Sequence, residues 1–372
     1  MVNEKKIRVL LCAPRYDEAG GITTWTKNIF KYYESIDSNI DLRYYYHKAQ
    51  GVFADTSFLY RIYNGIKKYT IFLIGLRKKI KEEHIDVVHI CSSASLGLIN
   101  DLFSIYITHF CNAKIIIHFR FGRIPQLFKQ NNWEYRLIMK VIKVADKVIV
   151  IDKFSYNTLK KSGFTKIQLI PNFLSPEVND IINDSNITRK RRTILFVGHV
   201  VQNKGVFELV EACKSIENIN LILAGHVSLE NKERIKSIVN GDTNWIEITG
   251  EISYSQVIKQ MLSCDVFCLP TYTEGFPNVV IEAMACGCSI IASGVGAIPE
   301  MLEKENNDSF GIIIRPHDTD DLRCSILEMF NNEEFKISCG LNAKKRINDR
   351  YSVDKVWSKL CDVWQSTNVS KL

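Results

Sequence analysis

No run of about 18 or more apolar residues occurs in the chain, so no segment has the length of a membrane-spanning helix. Proline is scarce, 8 among 372 residues, and there is no short-period repeat or low-complexity tract, which excludes collagen-like and disordered architectures. No CxxC pair occurs among the 11 cysteines; the close pairs are Cys264 with Cys268 and Cys286 with Cys288. That scatter suits small buried residues of a reducing, cytoplasmic compartment rather than a disulfide framework, a metal site or a redox pair. No complete GxGxxG follows the first apolar segment, and no GxxxxGK[ST] is present, so neither a nicotinamide site nor a P-loop is indicated. The start of the chain turns apolar only at Ile7 and from Val9 to Leu11. That is too short for a secretory signal and reads as a first buried strand.

What is present is a composition 46% hydrophobic and 24% charged, that of a globular chain long enough for two domains. The net charge of +7 is unevenly spread. Residues 1–186 carry 27 Lys and Arg against 17 Asp and Glu, a balance of +10; residues 187–372 carry 21 against 24, a balance of −3. The two halves are therefore expected to meet different partners. Segments rich in Val, Ile and Leu on both faces lie at 7–13, 87–91, 114–119, 147–151, 167–170, 193–197, 220–224, 245–249, 266–269 and 289–292. They alternate with helical patterns such as 206–216 and 254–263, which predicts parallel strands covered by helices, an α/β doubly wound class. The pattern breaks at 171–192, where Pro171-Asn172, Ser175-Pro176 and the basic run Arg189 to Arg192 lie. A fresh strand-and-glycine unit begins at Thr193, so the spacing predicts two Rossmann-like domains, 1–186 and 187–352.

Four clusters carry candidate chemistry. Gly20-Gly21 stands between the first strand and a helical stretch, where backbone approaches a ligand closely and a helix N-terminus favours an anion; a plain turn is the alternative. His118 ends segment 114–119, with Arg120 and Arg123 following. Ligands sit beyond the carboxyl ends of parallel strands, so these three form a polar site, or else a packed histidine and two surface arginines. Gly198-His199 and Lys204-Gly205 follow the first strand of the second domain, a glycine turn with cations before a helix, as a diphosphate requires.

The most specific cluster runs from Glu274 to Glu282. Pro277 is suited to opening a helix, which would leave the amides of Asn278, Val279 and Val280 unpaired. Glu282, one turn in, would accept hydrogen bonds from vicinal hydroxyls, and Glu274 would reach a sugar ring. The alternative is a helix with acidic residues around its start. Gly294 and Gly296 read as a loop. Asp318-Thr319-Asp320 looks like a metal-binding DxD, but it precedes a helical stretch and reads as an N-cap cluster.

Together these residues resemble the retaining family 4 (GT4) glycosyltransferases of the GT-B fold, of the bacterial surface-polysaccharide type. The resemblance covers nearly the whole chain. Its most specific part is Glu274-x7-Glu282 with Ala283 to Gly287 and Pro299-Glu300. It implies two Rossmann-like domains facing a cleft, with a C-terminal helix (353–372) packing back on the first. It implies a nucleotide-sugar donor held mainly by the second domain, without a metal or other cofactor. Glu282 would bind the ribose, and Asn278, Val279 and Val280 would lie at the diphosphate. Glu274 would contact the donor sugar, and the loop ending at Ile252 would meet the base. Gly20 and Gly21 would touch the phosphates, Gly198 would belong to the second-domain phosphate turn, and His118 would lie near the reacting carbon. One departure stands out: the family has Arg after the glycine of that turn, and this chain has His199, which lacks the bidentate fork and is only partly charged near neutral pH. Lys204 keeps its place. Either the bound diphosphate protonates His199, or Arg120 or Arg123 supplies the missing charge.

The acceptor is expected on the basic first domain. Residues 56–81, from Thr56 to Lys81, hold seven basic residues and no acidic one. Phe58, Ile62, Ile66, Tyr69, Leu73, Leu76 and Ile80 recur there at helical spacing. Such a helix lies in a membrane interface or meets a lipid diphosphate, consistent with an undecaprenyl-diphosphate-linked glycan; the alternative is a surface helix burying that stripe. A rival activity on the same fold is a sugar-nucleotide epimerase, which needs no acceptor. No nucleic-acid motif is present.

Overall fold

The computed structural model describes residues 6–15, 20–47, 58–241 and 243–369. Its chain divides into two compact units, Met1–Pro171 with Val356–Leu372, and Asn172–Lys355. The first contains strands β1 (Ile7–Pro14), β2 (Ile40–His47), β3 (Val87–Ser92), β4 (Lys114–Phe119), β5 (Lys147–Val150) and β6 (Ile167–Leu169). The second contains β7 (Thr193–Val197), β8 (Asn220–Ala224), β9 (Ile246–Gly250), β10 (Val266–Leu269), β11 (Ser289–Ser293) and β12 (Ile312–Ile314). Each set forms one six-stranded sheet, ordered β2-β1-β3-β4-β5-β6 and β12-β11-β10-β7-β8-β9. Every pairing is parallel. The strand order reverses beside β1 in one sheet and beside β7 in the other, the two strands that precede the glycine turns.

Ten of these strands match the apolar segments to within a residue or so at each end. The other two, β2 and β12, are edge strands. β2, IDLRYYYH, mixes charge with aromatics because among the described residues one of its edges has no neighbouring strand, and so it lacks the continuous apolar signature. β12 has three residues, too few to carry a period.

Alternation along β3 and β4 decides what each sheet face holds. Val88, Ile90, Ile115, Ile117 and Phe119 belong to the hydrophobic core on one face. His89, Cys91 and His118 therefore point to the other face, and register places Cys91 opposite His118. That face is covered by the helix Gly21–Glu34 and the C-terminal helix Val353–Val369, whose Trp25 and Trp364 pack against the histidines. Trp357 of the C-terminal helix also stacks on Tyr33, with ring centroids 5.8 Å apart.

Two expectations need correction. The division falls at Pro171/Asn172, earlier than 186/187, because the helix Pro176–Asn183 belongs to the second unit with the buried Val178. Proline and polar residues there begin a packed helix instead of a linker. In the basic segment, Thr56 lies outside the described residues, as do the side chains of Phe58, Arg61 and Ile62. The helix Phe58–Glu82 runs unbroken through Gly65 and Gly75. Gly75 is required by packing: a Cβ there would lie 2.1 Å from the Tyr45 hydroxyl. Leu76 and Ile80 are buried and Leu73 packs partly buried against the core, so this part of the stripe is not available to a membrane.

Candidate functional site

In the second domain, the loops at the carboxyl ends of the strands hold the predicted residues. Gly198 and the exposed His199 follow β7, and the short turn Gln202–Lys204 presents Lys204. Lys204 Nζ donates to Glu274 Oε1, so the cation and the carboxylate expected at the leaving group and the sugar form one ion pair. The loop bearing Glu274 is held from behind by Gly296, at φ +56°, where a Cβ would lie 2.4 Å from the Glu274 carbonyl oxygen. Ala297 N–H donates to Gly275 O at 2.8 Å on the same loop. The Gly294–Gly296 stretch, read from sequence as a loop, is thus the backing of the Glu274 loop.

The helix Asn278–Ala285 opens after Pro277. Its first amides lack intrahelical acceptors by geometry, but Val280 N–H donates to Pro277 O at 3.1 Å. Val280 is also fully buried. The open amides expected at 278–280 therefore reduce to those of Asn278 and Val279. Asn172 braces this turn, donating from Nδ2 to Asn278 Oδ1 at 2.8 Å and to Phe276 O at 3.1 Å. Glu282 is largely enclosed; burial pushes its carboxyl up to about 7, partly opposed by the Tyr254 hydroxyl, which donates to Oε1 at 2.9 Å. Ile252 is half-buried after β9.

His226, after β8, lies with its ring centroid 6.0 Å from that of His199, and its Nδ1 is 3.8 Å from Glu251 Oε1. Tyr254 and His226 were not found from sequence, and Asn172 and Glu251 were read only as parts of a turn and a loop, with no role of their own. The repeated Gly-His at 198–199 and 225–226 was the available signal for the histidine pair.

In the first domain, Gly20 caps the helix Gly21–Glu34, accepting from Thr24 N–H at 3.0 Å, and both glycines are exposed. His118 is completely buried, and burial together with the nearby Arg120 charge holds its imidazole well below the ordinary range. Arg120 lies over Trp25, 4.3 Å from the ring centroid, with Nη1 3.1 Å from His118 Nε2; burial lowers it to about 10. Arg123 is committed elsewhere, to Glu134 Oε1 at 2.5 Å and Ser95 Oγ at 2.9 Å. Its charge is already balanced, so among the two arginines Arg120 is the one beside His118.

His89 Nε2 lies 3.1 Å from His118 Nδ1, and Trp364 Nε1 donates to His89 Nδ1 at 3.0 Å. His89, Cys91 and His118 bring ligand-type atoms within 4.8 Å of one another. The set does not suit a cation. The indole N–H occupies His89 Nδ1, so Nε2 keeps its hydrogen. Arg120 stands at His118 Nε2, and burial pushes the Cys91 thiol up to about 12. The DxD candidate is an N-cap: Asp318 accepts from Asp321 N–H at 2.8 Å at the start of the helix Thr319–Asn331. All eleven cysteines are free, and eight are buried.

The described residues of the basic helix expose Tyr63, Ile66, Ile71 and Ile74. The next helix, Gly97–Phe110, exposes Ile99, Phe103, Tyr106 and Phe110, spaced by three and four residues, with Phe110 72% exposed. Arg77 Cζ and Lys81 Nζ lie 5.3 and 5.9 Å from the Phe110 ring centroid. No described helix is long and apolar enough to cross a membrane.

Comparison with known proteins bears on the family and the fold. Residues 5–178 match the Glycosyltransferase Family 4 model, and residues 177–346 match the model of Glycosyl transferases group 1. An uncharacterized glycosyltransferase of Methanocaldococcus jannaschii is 28% identical over 96% of this chain and 99% of its own length. A capsular polysaccharide biosynthesis glycosyltransferase of Staphylococcus aureus is 27% identical over 61% of this chain and 57% of its own. An N,N'-diacetylbacillosaminyl-diphospho-undecaprenol alpha-1,3-N-acetylgalactosaminyltransferase of Campylobacter jejuni is 24% identical over 50% of this chain and 48% of its own. Among solved structures, sucrose-phosphate synthase from Thermosynechococcus elongatus matches with TM-score 0.78 and 16% identity, covering 98% of this chain and all of that one. Anabaena HepE in complex with UDP matches with TM-score 0.72 and 14% identity over 97% of this chain and 100% of that chain. The fold is GT-B.

Proposed function

Because the chain belongs to the family 4 glycosyltransferases, we propose that it moves a hexosyl group from a UDP-sugar to a hydroxyl of a glycan in surface polysaccharide synthesis. The observation that carries this reading is the second-domain constellation: Lys204 paired with Glu274, beside a helix start and the enclosed Glu282. Glu282 accepts hydrogen bonds from ribose hydroxyls. The amides of Asn278 and Val279, with Lys204 and His199, receive the diphosphate. Glu274 binds the sugar and leaves Lys204 free to follow the departing phosphate.

Transfer proceeds with retention. The bond from C1 to the phosphate oxygen breaks as the bond from C1 to the acceptor oxygen forms on the same face. The acceptor proton passes to the leaving phosphate. The chain's part is positioning and stabilisation of leaving-group charge by Lys204 and His199, which takes the role a metal would otherwise have. The choice of uridine is supported by the UDP held in the similar HepE structure. The polysaccharide role is supported by the S. aureus relative.

We assign the acceptor to the first domain and its lipid to an anionic, cytoplasmic membrane face. The Campylobacter relative, named for a diphospho-undecaprenol substrate, supports that acceptor class. The exposed stripe from Ile99 to Phe110 beside Arg77 and Lys81 supports peripheral contact.

The test is a thermal-shift panel of UDP-, GDP- and ADP-sugars, followed by transfer to lipid-linked glycan fragments and anomeric analysis of the product. A UDP-sugar is expected to raise Tm and to yield an α-linked product from an α-linked donor. Conversion of the UDP-sugar without acceptor would point to an epimerase instead.

A further inference from the structure

The contacts Trp364–His89, His89–His118 and His118–Arg120 form one line of nitrogens through the first domain. Each of these hydrogen bonds needs one hydrogen and one lone pair. Indole Nε1 and guanidinium Nη1 only donate, and a neutral imidazole has one donor and one acceptor nitrogen. Four N–H groups thus share three contacts, and one contact must hold two hydrogens facing each other. From the buried end, Trp364 donates to His89 Nδ1, which leaves the His89 hydrogen on Nε2. That hydrogen goes to His118 Nδ1, which leaves the His118 hydrogen on Nε2, opposite Arg120.

The surplus has three alternative positions, one at each contact. Between Trp364 and His89, or between the two histidines, it would sit where both rings are completely buried and held by packing. At Arg120 it sits on a residue of intermediate exposure whose long side chain pivots. The third is cheaper, because the guanidinium moves aside or admits an acceptor between the two donors. Both imidazoles stay neutral, since burial drives each well down, His89 to about 3.

We propose that Trp364 and His89 are positioning residues that fix His118 as an Nε2–H donor, so that His118 and Arg120 present two hydrogen-bond donors to one oxygen acceptor of the substrate. The C-terminal helix thereby sets the chemical form of a residue on β4. His118 acts as a donor here and not as a base. The acceptor is a hydroxyl or a phosphate oxygen, and the role in transfer rests on the function proposed above. The tautomer does not rest on it.

The test is 15N NMR of the full chain labelled at histidine, which distinguishes protonated from bare ring nitrogens. His118 is expected to carry its hydrogen on Nε2; a hydrogen on Nδ1 would overturn the proposal outright, whatever the enzyme's substrate. His89→Gln keeps an N–H for His118 Nδ1, whereas His89→Leu removes it. In His89→Leu the His118 hydrogen is expected to move to Nδ1 and Nε2 to accept from Arg120, with kcat falling roughly tenfold, the loss of one hydrogen bond at the reacting site. His89→Gln should restore both. An unchanged His118 tautomer in His89→Leu refutes the relay even if that variant loses stability. Separate titrations with glucose and with inorganic phosphate identify the acceptor, since the His118 Nε2–H signal moves with the one that enters. Movement with neither refutes the two-donor arrangement.

Discussion

Glu282→Gln separates what this carboxyl does for the nucleotide from what it costs the fold. In the native domain the acid is raised from 4.5 to about 7 by burial, with only the Tyr254 hydroxyl opposing. The unfolded chain releases this proton near its ordinary value, so between these limits the folded state binds more protons than the unfolded state. Stability therefore falls as pH rises from about 4.5 to 7 and stays lowered above it, by about 3 kcal/mol from this group. Gln cannot ionise, yet it can still accept from Tyr254. The variant should match the native chain at pH 5 and exceed it at pH 8 by up to that amount, several degrees in Tm for a domain of this size. Asp101, also raised to about 7 by burial, adds a slope of the same sign in the first domain. It is present in both proteins and cancels in the comparison. Function should move the opposite way. A carboxylate accepts from two hydroxyls, whereas the amide offers one oxygen and an NH2, so UDP affinity should drop ten- to hundredfold. Calorimetry in buffers of different ionisation enthalpy should show a proton released when UDP binds the native chain near pH 6.5, and none in the variant. Parallel Tm curves from pH 5 to 8 would refute the burial argument. Undiminished UDP affinity would refute the ribose assignment.

Lys204→Ala should lower kcat far more than it raises the donor Kd, because the cation is needed most when the diphosphate departs; equal losses would assign it to binding alone. EDTA should leave the rate unchanged, since protein cations are proposed at the leaving group, and restoration of a lost rate by a divalent ion would contradict that. Gly296→Ala should destabilise the second domain by about 1–3 kcal/mol and depress activity, given its φ of +56° and a Cβ 2.4 Å from Glu274 O. Its Tm and kcat measure the two effects. The double change Phe103→Ser and Phe110→Ser should abolish pelleting with anionic vesicles while leaving Tm nearly unchanged, as both side chains are exposed. Pelleting that persists would move the contact to another face.

Much of the architecture was legible because parallel strands covered on both sides are written as continuous apolar runs, and helix starts as glycine or proline turns. The Glu274–Glu282 spacing placed both carboxylates around one helix start. Less legible was anything set by the neighbour across a sheet. Leu76 and Ile80 belong to the same helical stripe as Ile66, yet two are buried and one is exposed. Periodicity reports a face, not what covers it. The same holds for the stripe from Ile99 to Phe110, whose pattern looks like that of a core-facing helix.

By itself, then, the sequence determined the two doubly wound sheets, the glycine turns after β1 and β7, and the placing of two acidic residues around one helix start. All of these follow from residue type and local spacing. Tertiary structure alone decided the partners. It joined Lys204 to Glu274, withdrew Val280 and Arg123 from the expected site, and set Trp364 against His89 across 275 positions of chain. The physical reason is that a hydrogen bond or a buried charge is defined by whatever lies within about 3 Å in space. Spacing along the chain does not encode that once the partner comes from another strand or helix.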